Sequence, residues 1–388
     1  MIKSIHIDNF KSLVDFSADL SNLTVFIGKN ASGKSTVLQA IQFIAESTKN
    51  DYDVLLSARN WTVDNIRSKL TDSKKIIFDI KIETSDDDGT VHLFEWNTEI
   101  IAYTSKNEMF LDSEKITADG KSLLDYKFGK SYYLSLNGEM ADADISFSNI
   151  LKFHSSALKN IRKSKELDPR LMLFMDNIDH IMSFELLTPD KMRLSSRGTS
   201  DSIEASGKNL PSFIKKLNQE QKNSFMRKIK WLLEGSVVDI DAETKGQPGW
   251  TQIKIEEKYK EKSIRISSKE MSDGMLRLIA FVAISEIQSP NATYLLDEIE
   301  NGINMEYIEK LIKLFSEMAE RTKSQIILTT HSTLFMDYFD PESFLLLSRG
   351  KGGETISDRL FDKKKFKQQL EYMYPGEIIL NMNLNAND

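Results

Sequence analysis

The run Gly28-Lys29-Asn30-Ala31-Ser32-Gly33-Lys34-Ser35-Thr36 carries the spacing G-x-x-x-x-G-K-[ST] of a phosphate cradle. An apolar, β-favouring run, Leu23-Thr24-Val25-Phe26-Ile27, precedes it. A helix-periodic run, with Val37, Leu38, Ile41, Ile44 and Ala45, follows. The pattern therefore sits in a strand–loop–helix context. There the loop N–H groups and the helix N-terminus would hold a polyphosphate. Lys34 would reach the β- and γ-phosphates, and Ser35 would hold Mg2+.

Hydrolysis needs a metal anchor and a base. Tyr294-Leu295-Leu296-Asp297-Glu298 offers both, since an apolar strand ends in consecutive carboxylates. Asp297 would contact Mg2+ through water. Glu298 would face the attacking water as general base. Ile326-Ile327-Leu328-Thr329-Thr330-His331-Ser332 repeats the design, and brings His331 to the same sheet edge. A histidine there can hydrogen-bond the γ-phosphate or the water. For His6, His92, His154 and His180 a packing or capping role is the simpler reading. Met271-Ser272-Asp273-Gly274 opens the apolar helix Leu276–Ile287, with Ser272 as N-cap. A capped helix needs no ligand, but its N-terminus presents free N–H groups to an anion.

These residues need a scaffold, and composition allows a large one. The chain has 388 residues, 40% hydrophobic and 28% charged, enough for one large or two ordinary domains. It has no cysteine, which excludes disulfides, thiolate catalysis and Cys-based zinc or iron–sulfur sites. No stretch is apolar for the 18 or so residues of a membrane span, and the N-terminus carries no signal-peptide core. These features together predict a cytoplasmic protein with no membrane partner. A net charge of −7 argues against a surface that coats nucleic acid everywhere, while leaving room for a local basic patch.

The patterning suggests three parts. Residues 1–147 read as an N-terminal lobe with the phosphate loop and antiparallel strands. Ile2, Ile5 and Ile7 mark the first strand, Ile76–Ile82 and Val91–Ala102 a hairpin, and Asn50–Ser73 an irregular stretch. Residues 148–235 read as a helical lobe, with helices Ile150–Lys165, Pro169–Phe184 and Pro211–Leu233. Residues 236–388 return to strands, at Val237–Ala242, Gln252–Glu257 and Ile264–Ser267, with a turn at Gly246-Gln247-Pro248-Gly249. A βαβ unit follows: Ala292–Leu296, the helix Met305–Glu320, and Gln325–Thr330.

Taken in order, these motifs resemble an ATP-binding-cassette-type ATPase head. The similar branch is the soluble one that includes SMC, RecF and OLD-family proteins, within the AAA family of ATP-binding proteins. The opening Met1–Leu13, with Asn9-Phe10-Lys11-Ser12, resembles that branch's first turn. Gly28–Thr36 is similar to its Walker A motif, Met271–Gly274 to its signature, and Asp297-Glu298 to its Walker B. Glu300-Asn301-Gly302-Ile303-Asn304 takes the D-loop position and His331 that of the switch histidine. Ser206-Gly207-Lys208-Asn209-Leu210-Pro211 resembles a G-x-N-L segment of the RecF and OLD-like members. No glutamine matches the Q-loop, because Gln39 and Gln42 follow the phosphate loop directly.

The resemblance implies an α/β fold: a P-loop head with a mixed sheet around a helix, an antiparallel β subdomain and an inserted helical lobe. It implies ATP and Mg2+ as cofactors, and a head-to-head dimer, or higher homo-oligomer, in which Ser272 and Gly274 contact the γ-phosphate of the other copy's ATP. Asp273 and Met271 depart from transporter signatures. The insert is too short for SMC coiled coils, and the stretch after His331 too short for the nuclease domain of OLD proteins.

Three functions then compete. The first is a RecF-like DNA-binding ATPase in repair. It would use basic stretches at Lys152–Lys165, Lys215–Lys230 and Lys363–Lys367. The second is an ATPase that controls a separate effector protein, such as a nuclease or toxin, in anti-phage defence. The third is a nucleotide-gated scaffold with negligible turnover.

Overall fold

Two sheets share one buried helix. The computed structural model describes residues 1–136, 138–142, 152–162, 166–184, 188–235, 237–244 and 249–385. The first sheet has eight antiparallel strands, ordered Phe16–Asp19, Ile2–Asp8, Lys75–Ser85, Val91–Tyr103, Glu108–Ala118, Lys121–Lys127, Ser131–Leu136 and Glu139–Asp142. Alternation fixes its buried face. Ile76, Phe78, Ile80 and Ile82 point inward, while Asp79, Lys81 and Glu83 stay wet. The second sheet is ordered Ile181–Ser183, Thr293–Leu296, Gln325–Thr329, Leu23–Ile27, Phe344–Arg349 and Thr355–Asp358. All its pairings are parallel except the last. In a third, smaller sheet, Trp250–Tyr259 pairs with Val237–Thr244, Lys262–Ser267 and Ser196–Arg197.

Helix Lys34–Ser47 lies between the first two sheets. It has no interior Gly or Pro, and Val37, Leu38, Ile41 and Ile44 are fully buried. They pack in one core with Ile5, Phe78 and Leu111 of the first sheet and Leu295, Ile327 and Leu347 of the second. Each such side chain stabilises by about 1.5–3 kcal/mol. Ile41→Ala, which leaves a void between both sheets, should cost about 2–5 kcal/mol. The other face of the parallel sheet, with Val25, Ile27, Leu296 and Leu328, packs against helices Asp273–Ile284 and Ile308–Thr322 in a second core.

Several local expectations change. Asn50–Ser73 holds two short helices, Tyr52–Ala58 and Val63–Ile66, the second opened by a reciprocal Thr62–Asn65 capping box. The helix at Pro169 ends at Asp179, and Ile181–Ser183 instead adds a parallel strand beside Thr293–Leu296. Pro211–Leu233 is two helices, Leu210–Lys216 and Gln219–Leu232, because Asn218 and Gln221 form a capping box that starts the second. Of Ile150–Lys165, only Ala157–Ile161 is helical among the described residues, and 150, 151 and 163–165 lie outside them. The expected turn at 246–248 also lies outside. The helices of 148–235 divide between the cores. Ala157–Ile161 and Pro169–Asp179 join the first, and Leu210–Lys216 and Gln219–Leu232 the second.

Candidate functional site

Strand register brings the motif ends level. Leu296 pairs with Leu328, Leu328 with Val25, and Thr329 with Phe26. Gly28, Asp297 and Thr330-His331 therefore leave three neighbouring parallel strands at their C-terminal edge, where open α/β sheets bind ligands.

The phosphate loop is set by backbone shape. Gly28, Ala31 and Gly33 have φ of 143°, 62° and 108°. A Cβ on Gly28 would sit 2.2 Å from the Leu347 carbonyl oxygen, and one on Gly33 2.2 Å from Thr355 Oγ1. Lys34 Nζ donates to the Gly28 and Lys29 carbonyls at 2.9 and 3.2 Å. Burial lowers its pKa, opposed by Glu298, Asp297 and Glu300. Distant residues brace the loop. Arg349 Nε donates to the Ala31 carbonyl at 2.7 Å, and Thr355 Oγ1 to that of Ser32 at 3.0 Å. Thr355 also pairs with Ser12 through side chain and backbone, both at 2.8 Å. The Asn9–Ser12 turn is held in place by its own contacts. Asn9 donates to the Ser73 carbonyl, and Lys11 Nζ donates to Gln39 at 2.6 Å while lying 3.7 Å from the Trp61 ring centre.

Opposite the loop, Ser35 Oγ donates to Asp297 Oδ1 at 3.1 Å. Thr329 Oγ1 also donates to Asp297, and accepts from the Glu298 N–H at 2.9 Å. Burial raises the Asp297 pKa, partly offset by the Thr329 and Ser35 hydrogen bonds. Glu298 has a φ of 46°, uncommon for a non-glycine residue. Its side chain is 37% exposed and that of His331 47%. His331 Nδ1 lies 3.8 Å from Glu298 Oε1 and 3.4 Å from Glu300 Oε1. A cavity of about 310 Å3 joins these groups, lined by Asn30, Ala31, Gly33, Lys34, Ser35, Thr36, Glu298, His331 and Arg349.

Ser272 and Gly274 are not brought to that lining. Ser272 caps helix Asp273–Ile284 by accepting from the Met275 N–H at 3.2 Å. Arg193 braces the segment, bonding the Met271 carbonyl and pairing with Asp273. Gly274 has no room for a side chain, since its Cβ would meet the Gly302 carbonyl oxygen at 2.8 Å. Gln42 bonds Glu46, away from the loop. Part of the basic character is internally paired: Lys152 with Glu108, Lys159 with Asp51, Arg162 with Asp179, Lys216 with Asp201, Lys228 with Glu286 and Lys363 with Asp358. Lys163 and Lys165 lie outside the described residues. Sequence patterns did not point to Thr329, Arg193, Arg349 or Thr355, because no local motif marks them. Thr329, as the last residue of a strand leading to a site histidine, was the most accessible of the four.

Residues 23–337 match the family described as "AAA domain, putative AbiEii toxin, Type IV TA system". A curated relative, an OLD nuclease of Thermus scotoductus, is 21% identical over 379 residues, covering 94% of this chain. The chain spans 65% of that relative's length. Among solved structures, an SMC head bound to the C-terminal winged-helix domain of ScpA is similar at a TM-score of 0.55. It is 16% identical and covers 94% of this chain and 99% of its own. A Pyrococcus furiosus SMC head with an extended coiled coil, bound to the C-terminal domain of ScpA, gives 0.53 at 16% identity, with 95% and 99% covered. Among the described residues, no helix is long and apolar enough to cross a membrane.

Proposed function

From the premise that this chain belongs to that AAA-domain family and is an ATPase of the SMC- and OLD-like type, we propose that it hydrolyses MgATP at a composite site completed by a second copy. The observation that carries this is the half-built cavity. One copy supplies the cradle, Glu298 and the histidine, while Ser272 and Gly274 do not line that cavity. In this reading the N–H groups of Gly28–Thr36 hold the phosphates. Lys34 leaves its carbonyl partners to neutralise the β- and γ-oxygens. Glu298 takes the proton of the attacking water, and His331 hydrogen-bonds the γ-phosphate.

Mg2+ fits the donors present. The Ser35 hydroxyl and the Asp297 carboxylate are hard oxygen ligands already within 3.1 Å of one another. A bound Mg2+ would neutralise charge developing on the phosphate oxygens. Ser272 and Gly274 would meet the γ-phosphate of the partner copy, with the helix N-terminus adding positive potential.

The test is light scattering with MgATP. Glu298→Gln should accumulate as a nucleotide-bound dimer, Lys34→Ala should remain a monomer, and wild type should cycle. A Lys34→Ala protein that dimerises and turns over ATP like wild type would overturn the reading.

The conformational cycle, we further propose, governs a separate effector in an anti-phage or DNA-related complex. The family description names a toxin of a toxin–antitoxin system, and the relative is a nuclease whose length this chain only partly spans. Co-expression with genomic neighbours should yield a stable complex, and a chain that purifies alone beside each of them would count against it. Ion pairs at Lys152, Lys159, Arg162, Lys216, Lys228 and Lys363 lower the charge that those residues would offer to DNA, so direct DNA binding is kept as the second reading. Cytoplasmic placement is part of the same proposal.

A further inference from the structure

We infer that Glu300 is a positioning residue for the reaction, and that it sets both the backbone course of Thr330–Ser332 and the tautomer of His331. The inference rests on the reading of His331 given above. The Glu300 side chain is only 7% exposed. Its Oε1 accepts from Thr330 Oγ1 at 2.7 Å, from the His331 N–H at 2.9 Å and from the Ser332 N–H at 3.3 Å. The His331 ring adds Nδ1 at 3.4 Å from the same oxygen. Among the described residues, buried Glu300 Oε2 has no hydrogen-bond partner.

Three donors from three consecutive residues thus converge on one oxygen, with the His331 imidazole beside them at ion-pair distance. That arrangement pins the segment that carries the histidine. The carboxylate lies on the Nδ1 side of the imidazole. A carboxylate there favours the proton on Nδ1, which turns Nε2 toward the reacting phosphate and water with a defined role. Glu300 also starts the turn whose Gly302 carbonyl abuts Gly274, so the histidine segment and the helix capped by Ser272 are held by one short stretch.

A plain capping role would need only an acceptor. Glu300→Gln keeps one for the backbone N–H groups but removes the charge beside Nδ1, whereas Glu300→Ala removes both. The experiment measures MgATP turnover of the full chain carrying each change, alone and with His331→Ala. Glu300→Ala should lower kcat about 10–100-fold with KM little changed, as loss of an orienting partner does. Glu300→Gln should fall between Glu300→Ala and wild type. In the His331→Ala background the further loss should be under about twofold, because the two residues act as a unit.

The second measurement is 15N NMR of the imidazoles without nucleotide. The chain has five histidines, so His331→Ala identifies the signal. Wild type should show the Nδ1-protonated form, and Glu300→Gln a mixture. Equal losses in both backgrounds, a change confined to KM, or an unmoved imidazole signal in Glu300→Gln would each overturn the inference. If wild type fails to turn over MgATP, the hydrolysis reading falls, and the imidazole spectra still decide the role of Glu300.

Discussion

Two of the buried glutamate side chains, Glu114 and Glu300, are held in opposite ways. Glu114 lies beneath the antiparallel sheet, and both of its oxygens are filled. Oε1 accepts from Trp96 Nε1 and Ser156 Oγ at 2.8 Å each, and Oε2 from Ser156 Oγ at 2.9 Å and the Ala157 N–H at 2.7 Å. Glu300, at the edge of the parallel sheet, takes all its donors on one oxygen, and among the described residues none reaches the other. Glu114 closes a joint between the strand Glu108–Ala118 and the helix Ala157–Ile161. Around Glu300 the same chemistry is left open, with Glu298 and His331 half exposed beside it. A carboxylate whose donors come from a strand and a helix braces structure, whereas one whose donors all lie in the segment carrying His331 bears on the groups that line the cavity.

The largest effect that sharpens this contrast is expected at Glu298. Glu298→Gln should lower turnover by about 10²–10⁴-fold, the usual contribution of a general base, with nucleotide binding retained. Steady-state kinetics beside a binding titration checks it. Because the residue is half exposed, its thermal stability should stay within the small range of surface changes. A variant that hydrolyses ATP normally would remove the main distinction between the two regions.

Glu114→Ala should do the reverse. It strands the Trp96 indole N–H, the Ser156 hydroxyl and the Ala157 N–H in a buried place. Each costs about 1–3 kcal/mol, so a loss of about 3 kcal/mol or more in unfolding free energy is expected. Turnover per folded molecule should be unchanged. Urea denaturation with parallel activity assays would separate the two quantities. A catalytic defect without destabilisation would break the assignment of this region to structure.

The legible parts of the sequence were those written locally. Gly28–Thr36, Asp297-Glu298 and His331 each follow an apolar strand of a few residues, so their arrival at one edge follows from parallel pairing. The braces were hidden because their partners are far along the chain. Thr355 meets Ser32 across 323 positions and Ser12 across 343, and no period records that. Ile181–Ser183 read as helix because its apolar residues fit that period, yet the open edge beside Thr293 recruited it as a strand. The break after Lys216 was in principle readable, since Asn218 and Gln221 have capping-box spacing. Glu300 was visible as a residue in a turn, but its burial against Thr330–Ser332 depends on tertiary packing.

A smaller effect tests whether Ser272 belongs with the closed or the open region. As an N-cap alone, Ser272→Ala should cost about 1 kcal/mol, while Ser272→Asp should preserve stability. If Ser272 also meets a partner's γ-phosphate, Ser272→Asp places a negative charge against that phosphate. The variant should then fold normally and fail to dimerise with MgATP. Normal dimerisation of Ser272→Asp would assign the residue to capping only.

The smallest effect is the pH dependence of the closed glutamate. Burial raises the Glu114 pKa above the ordinary 4.5, and the hydrogen bonds from Ser156, Trp96 and Ala157 only partly oppose it. A folded-state value above the unfolded one means that the native protein binds this proton more tightly. The stabilising contribution is then complete below pH 4.5 and fades as pH rises through the folded value. Glu114→Gln is neutral at every pH and serves as the reference. Unfolding free energy of wild type minus variant should be most favourable near the acid end and decline toward neutrality. A difference that instead grows with pH would mean that the three donors outweigh burial. Glu114 would then be held as a carboxylate for charge, and the contrast with the catalytic edge would lie in its filled oxygens alone.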